Sequence, residues 1–228
     1  MAKPVCAVVG IGPGNGASFA RRFASEGYAV ALLSRKTELA SELAATLDSA
    51  RPYACDVTDP SSVEAAFASV RADLGEVEVV VYNAGSGVWG HIEELSADAF
   101  EQSWRVNAMG GFLVAKQVIP AMKSRGAGSI IFIGATASLR GKPFTTAFAP
   151  AKAAQRSLAQ ALARHLWPQG IHVSLVIVDG GNKAPDARGA APETLDPDDI
   201  AETAFFLSKQ PRSAWSFEVD VRPSQENW

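Results

Sequence analysis

The sequence predicts one α/β domain, a doubly wound parallel sheet of about seven strands with helices on both faces. Three features of the chain lead to that fold. The glycine-rich stretch Gly10-Ile11-Gly12-Pro13-Gly14-Asn15-Gly16 joins the apolar run Val5–Val9 to a segment carrying Phe19, Ala20 and Phe23 at helical spacing. Strand-like and helix-like runs alternate from end to end, the pattern of strand–helix–strand units. Runs such as Val77–Val81 and Ile130–Ile133 are almost continuously apolar, as strands covered on both faces are.

Taken in order, strands are expected at Val5–Gly10, Ala29–Ser34, Arg51–Asp56, Val77–Asn83, Ser129–Ala135, Ile171–Val178 and Ser216–Arg222. One helix is expected from about Asp98 to Arg125, and an alanine-rich one from Lys152 to Leu166, stopped by Trp167-Pro168. Asp198-Asp199 open a further helix with Ile200, Phe205, Phe206 and Leu207 on its apolar face; early carboxylates suit its positive end. The 228 residues are read as a single domain, 1–228, because no repeat, linker or low-complexity tract interrupts the pattern before residue 179. The Pro- and Ala-rich segment at about 179–197 reads equally as a short substrate-side lid or as a flexible connection.

A formal net charge of −3 gives no reason to expect nucleic acid or an anionic membrane as partner. No apolar run approaches the roughly 18 to 20 residues of a membrane span. The start of the chain does not read as a signal peptide, so a cytoplasmic location is expected. Cys6 and Cys55 fall in strands, where a free thiol acts as a small buried hydrophobe; a disulfide or metal role is the lesser alternative. No His and Cys pair has metal-ligand spacing, and no metal is expected.

In such a sheet ligands lie beyond the carboxyl ends of the strands, near the point where strand order reverses. The glycines after the first strand let the backbone approach a ligand, and unpaired N–H groups at the following helix start favour a phosphate. After the second strand come Ser34-Arg35-Lys36. Arg35 suits a 2′-phosphate through forked, charge-assisted hydrogen bonds, which favours NADP(H) over NAD(H); a solvated basic pair at a helix start is the alternative. Asp56-Val57 and Asn83-Ala84-Gly85 follow the third and fourth strands, where each is also compatible with an ordinary turn.

These residues resemble the short-chain dehydrogenase/reductase family. The spacing of Gly10, Gly14 and Gly16 matches its Gly-x-x-x-Gly-x-Gly pattern and not the shorter Gly-x-Gly-x-x-Gly. Asn83-Ala84-Gly85 matches its Asn-Ala-Gly motif, Asp56 its adenine-contacting acid, and Arg105-Val106-Asn107 the motif of its catalytic asparagine. The resemblance implies a Rossmann-like fold and hydride transfer between a nicotinamide cofactor and a carbonyl or alcohol. It implies cofactor contacts from Gly10, Gly14, Asn15, Gly16, Arg35, Asp56, Val57, Asn83, Ala84, Gly85 and Lys152. It also implies a homodimer or homotetramer and a small-molecule substrate.

The family's catalytic set is a tyrosine, a lysine four residues later, a serine thirteen residues before the tyrosine, and the asparagine. Lys152 and Asn107 are present, but Phe148 stands at the tyrosine position and Ala135 at the serine position, with Ser138 a substitute only through a shift. Phenylalanine has no ionisable proton, so Phe148 cannot serve as acid or base. The expected catalytic group is therefore Asn107, Lys152 and Ser138, with Thr136, Thr145, Thr146 and His91 as further polar candidates. Trp89, Phe144 and Phe148 are expected to form an apolar wall, while His165 and His172 read as structural. Two functions stay open: an NADP(H)-dependent oxidoreductase with a degenerate catalytic tetrad, or an NADP(H)-binding sensor or partner subunit without turnover.

Overall fold

The computed structural model describes residues 2–182 and 193–225. In chain order the elements are β1 (Val5–Val9), α1 (Asn15–Ser25), β2 (Ala29–Ser34), α2 (Glu38–Ala44), β3 (Ala50–Ala54), α3 (Pro60–Asp73), β4 (Val77–Tyr82) and α4 (Ala97–Trp104). They continue with α5 (Gly110–Arg125), β5 (Gly128–Ala135), α6 (Phe148–Leu166), β6 (Ile171–Val178), β7 (Gly181–Asn182), β8 (Thr194–Leu195), α7 (Pro197–Lys209) and β9 (Glu218–Val221). Seven strands form one sheet in the order β3-β2-β1-β4-β5-β6-β9, and every neighbouring pair is parallel. β7 and β8 form a separate two-stranded pair. Strand order reverses between β1 and β4, where a doubly wound sheet opens a crevice.

The alternation that predicted the sheet has a direct cause in burial. Every residue of β1 is buried, and so are most of β2, β4, β5 and β6. One core layer packs Phe67, Tyr82, Phe132, Met122 and Leu166 on one face, and the other packs Phe19, Phe23, Leu32, Ile131 and Leu207 on the opposite face. Helix starts follow local chemistry. Asp59, Ser96 and Asp196 cap α3, α4 and α7 by accepting from the N–H of Ser61, Ala99 and Asp198. Pro60 and Pro197 occupy first-turn positions, where a missing N–H costs nothing.

Three expectations shift at their edges by more than one residue. The third strand ends at Ala54 and not Asp56, because the Asp56 side chain turns back to accept from the Thr58 N–H at 2.9 Å and hydroxyl at 2.7 Å. The last strand is shorter than expected, Glu218–Val221. The alanine-rich helix begins at Phe148, four residues before Lys152, so Phe148 and Lys152 lie one turn apart on α6. Most of the 179–197 segment, residues 183–192, lies outside the described residues. Both cysteines are buried free thiols, and burial pushes the Cys55 thiol up to about 12. His172 is buried beside Trp167 and Trp215, with ring nitrogens 3.0 Å from the Leu207 carbonyl and 2.8 Å from that of Ser216. His165 lies at the surface beside Lys123 and Gln169.

The helix expected from Asp98 to Arg125 is interrupted by a π-helical turn at Arg105–Met109. Such a turn widens the helix by one residue and disturbs the regular hydrogen-bond ladder. The Tyr82 hydroxyl, buried at the end of β4, donates to the Val106 carbonyl at 2.5 Å. Gly110 follows the turn, and a Cβ there would stand 2.3 Å from the Tyr82 hydroxyl. Only glycine lets the helix lie this close to β4. Removing the Tyr82 hydroxyl takes this donor from a part-buried carbonyl, which costs about 0.5–1.5 kcal/mol. Tyr82→Phe should lower the stability measured by urea unfolding by that amount, with an unchanged m-value; an unchanged midpoint contradicts this role for the hydroxyl.

Candidate cofactor and substrate clefts

Two clefts open at the carboxyl edge of the sheet and share Asn83, Gly85 and Ser86 as a common wall. Gly10 adopts φ +100°, and a Cβ on it would lie 2.4 Å from the Ala84 nitrogen. A Cβ on Gly16 would meet the Gly10 carbonyl oxygen at 2.5 Å. These two glycines are required by packing. By contrast, a Cβ on Gly12 meets nothing within 4 Å, and one on Gly14 meets only side-chain tips at 3.9 Å, so backbone is presented to open space. No side chain caps α1, and its first turn carries no acid. Its positive end is left for an anion.

The smaller cleft, about 400 Å³, is lined by Gly10, Arg35, Asp56, Val57, Asn83, Ala84 and Gly85. Seven of the expected cofactor positions thus converge on one space. The Ser34 hydroxyl donates to the Lys36 carbonyl at 2.6 Å, shaping the turn that carries Arg35. Among the described residues Arg35 makes no ion pair, and its side chain is exposed at the cleft. Gln102 and Val106 also line it. The larger cleft, about 490 Å³, receives Asn15 and Lys152. Gly14 and Gly16 line neither: Gly14 leads into α1, and Gly16 packs against Gly10.

Lys152 is 5% exposed at the floor of the larger cleft. Its Nζ donates to the Ile133 carbonyl at 2.9 Å and to Gln155 Oε1 at 3.1 Å. Burial pushes its pKa down to about 8. The π turn aims Asn107 inward, where Nδ2 donates to the Ser103 carbonyl at 2.9 Å and to that of Ser86 at 3.3 Å. Asn107 Oδ1 is buried with no hydrogen-bond partner among the described residues. A Cβ on Gly85 would lie 3.5 Å from that oxygen and 3.8 Å from Lys152 Nζ, so this glycine keeps the space between the two groups open.

Phe148 stands over this space, its ring centroid 5.8 Å from Lys152 Nζ. Trp89 lies 4.8 Å from Phe148 and 5.8 Å from Phe144, centroid to centroid, making the expected apolar wall. Thr136 and Thr145 also line the cleft, as do the methyl groups of Ala135 and Ala137. Ser138, Thr146 and His91 do not. The Ser138 hydroxyl, at the end of the short 3₁₀ turn Thr136–Ser138, is buried with no hydrogen-bond partner among the described residues. His91 is exposed in its loop, its N–H bound to Glu94 Oε2 at 2.9 Å.

Several lining residues were not singled out from sequence. Arg140 and Lys142 come from the segment between β5 and α6, and Asn182, whose Nδ2 donates to Asn15 Oδ1 at 2.8 Å, ties β7 to the start of α1. Asp179 is buried at the cleft floor. Its Oδ2 is 3.0 Å from Arg222 Nη1 and 3.6 Å from Arg140 Nη2. The available signal was that both cations lie between Thr136 and Thr145, which were already candidates for the site. Among the described residues no helix is long and apolar enough to cross a membrane, and no three His, Cys, Asp or Glu cluster as metal ligands.

Comparison with known proteins agrees with this geometry. The pattern of the short chain dehydrogenase family matches residues 4–185. A D-threitol dehydrogenase of Mycolicibacterium smegmatis is 31% identical over 221 residues, covering 90% of this chain and 85% of its own. An alcohol dehydrogenase of the archaeon Thermococcus sibiricus, solved with 5-hydroxy-NADP, superposes with a TM-score of 0.88 at 27% identity, covering 99% of this chain and all of that one. An NAD+-bound xylitol dehydrogenase superposes equally well, TM-score 0.88 over 97% and 98% of the two chains, and at 24% identity shows likeness of fold. The matched pattern, the sheet order and the shared wall of the two clefts make this chain a member of the short-chain dehydrogenase family, an oxidoreductase of Rossmann-like fold.

Proposed function

We propose that the protein is an NADP(H)-dependent oxidoreductase with a degenerate catalytic tetrad, moving hydride to or from a small carbonyl- or alcohol-type substrate. The observation that carries this reading is the continuous pair of clefts running from Arg35 to Lys152 past an uncapped α1. The residues present fit the cofactor. Gly12, Gly14 and the first turn of α1 suit a pyrophosphate. Asp56 and Val57 border an adenine-sized space, and Arg35 suits a 2′-phosphate. Lys152 at the floor suits a ribose hydroxyl through its remaining N–H. When bound, the cofactor supplies a hydride donor or acceptor.

The chain's own residues then orient substrate and move a proton. Asn107 Oδ1, Gly85 and Lys152 Nζ border one small space, which fits a polar relay to the cleft floor. The Lys152 ammonium, with its pKa near 8, is the titrating proton source in that relay. Phe148, Trp89 and Phe144 exclude water from the reacting face. Asn107 and Lys152 are the proposed catalytic residues, and Ser138, which does not line the cleft, has a packing role. A second reading is favoured by Phe148 and Ala135: with neither tyrosine nor serine, the protein acts as an NADP(H)-binding sensor or partner subunit. In either case a cytoplasmic homodimer or homotetramer is proposed, joined through the helical face that exposes Phe100, Trp104 and Phe112.

Titration with NADPH and NADH, followed by NADPH oxidation over aldehydes, ketones and quinones, separates the readings. Preferential NADPH binding with turnover supports the enzyme; binding without turnover above solvent background supports the sensor; absence of binding overturns both. Arg35→Ala should weaken NADPH binding about tenfold or more, the worth of hydrogen bonds to a charged group, and leave NADH unchanged. Equal losses for both cofactors contradict that role. Phe148→Tyr with Ala135→Ser restores a positioned acid and a polarising hydroxyl and should raise ketone reduction by roughly 10²- to 10⁴-fold. A double variant as slow as the parent contradicts the account of the missing groups.

Lys152 also sets a pH dependence of stability. Its folded pKa of about 8 lies below its ordinary 10.5, so between these values the unfolded chain binds more protons. Stability of the cofactor-free protein should therefore rise with pH through that window. Lys152→Met should abolish the rise, as read by melting temperature against pH; an identical profile in the variant contradicts the burial of a charged Lys152.

A further inference from the structure

The geometry points to an organic anion as substrate: a flat, apolar body bearing a carboxylate that Arg140 and Lys142 hold at the mouth of the larger cleft. This rests on the oxidoreductase reading and narrows it. Among the described residues, Arg140, Lys142 and Lys152 all line the cleft, against one carboxylate, Asp179. That carboxylate already lies between two guanidinium groups, Arg222 and Arg140. A chain of formal net charge −3 thus gathers an excess of positive charge in one concave, partly apolar space. Such a space focuses the field and attracts anions.

The two cations are held differently from ordinary surface residues. Asp179 is fixed by its own N–H, which donates to the Val221 carbonyl at 2.9 Å, and by Arg222, whose guanidinium also reaches Asp220 at 2.8 Å. Arg140 reaches this pair only at 3.6 Å, and its side chain is 45% exposed. It is aimed by Asp179 without being consumed by it, and its planar fork matches a carboxylate. The Lys142 backbone is clamped by the buried Thr145, whose Oγ1 accepts from the Lys142 N–H at 2.8 Å and lies 2.9 Å from its carbonyl. The next turn is pinned across the cleft by the Gly90 N–H to the Phe144 carbonyl at 2.9 Å and the Gly90–Thr145 bridge.

The same bridge brings Trp89 to face Phe144 and Phe148, so the clamp that places the cations also places the aromatic wall. A ligand that satisfies both is amphipathic, with its flat face on the aromatics and its anionic end on Arg140 and Lys142. A neutral ketone of equal size uses only the wall. An aliphatic cation is opposed by three positive side chains.

The test uses 2-naphthoate and its neutral isostere 2-naphthamide, titrated calorimetrically into the protein with and without NADP+. The carboxylate should bind at least tenfold more tightly than the amide, and added salt should erode the difference. Arg140→Met with Lys142→Met should bring both ligands to the same affinity, while NADPH affinity and melting temperature stay at parental values as the check on folding. Equal binding of acid and amide, binding of neither, or an acid preference that survives in the double variant overturns the inference. The NADPH titration on the same samples keeps it separate from the oxidoreductase reading: cofactor binding without acid preference removes only the anion site, and loss of cofactor binding in the parent removes the broader reading.

Discussion

The structure depends on the close approach of Gly10 to the backbone at Asn83–Ala84, where the sheet reverses its order. Gly10 donates its N–H to the Leu33 carbonyl at 2.8 Å and accepts at its own carbonyl from Asn83 Nδ2 at 2.7 Å. Three strands, β2, β1 and β4, are thus joined by hydrogen bonds at their carboxyl ends, with no room for a Cβ between the first loop and Ala84. Gly16 closes the same knot from the α1 side. Because Asn83, Gly85 and Ser86 wall both clefts, this contact sets the distance between the basic group at Arg35 and the buried ammonium of Lys152.

Most of the fold was legible because its signals are local. Seven strands and their order of appearance follow from apolar runs, while the caps that start α3, α4 and α7, Asp59, Ser96 and Asp196, came from the structure. The π turn at Arg105–Met109 was not legible from periodicity, since its stability comes from a partner remote in sequence, Tyr82. Of the positions expected to contact a cofactor, seven line the smaller cleft. Ser138 does not line the larger cleft; the sequence shows its distance from Phe148 but not the 3₁₀ turn Thr136–Ser138 in which it lies. Arg140 and Lys142 were passed over because a charged residue in a loop is usually solvated; only the bridge between Gly90 and Thr145 gives that loop a direction.

The catalytic end of the cleft combines retention with loss. Burying a lysine without an ionised partner is costly, and burial here pushes Lys152 down to about 8. Its hydrogen bonds to Ile133 and Gln155 offset part of that cost. Phe148 keeps the volume of an aromatic ring above the ammonium and removes the hydroxyl. On the proposed reading, the site presents a reacting face whose proton supply is the lysine and a relay through Asn107.

The central claim is that the two clefts form one cofactor site with its reacting end beneath Phe148. A crystal structure of the protein grown with NADP+ tests it most directly. The account predicts the 2′-phosphate against Arg35, the pyrophosphate at the start of α1 and the nicotinamide ring in the larger cleft between Lys152 and the Phe148 wall. A cofactor bound with its nicotinamide outside that cleft, or clefts that stay empty at saturating NADP+, would contradict it.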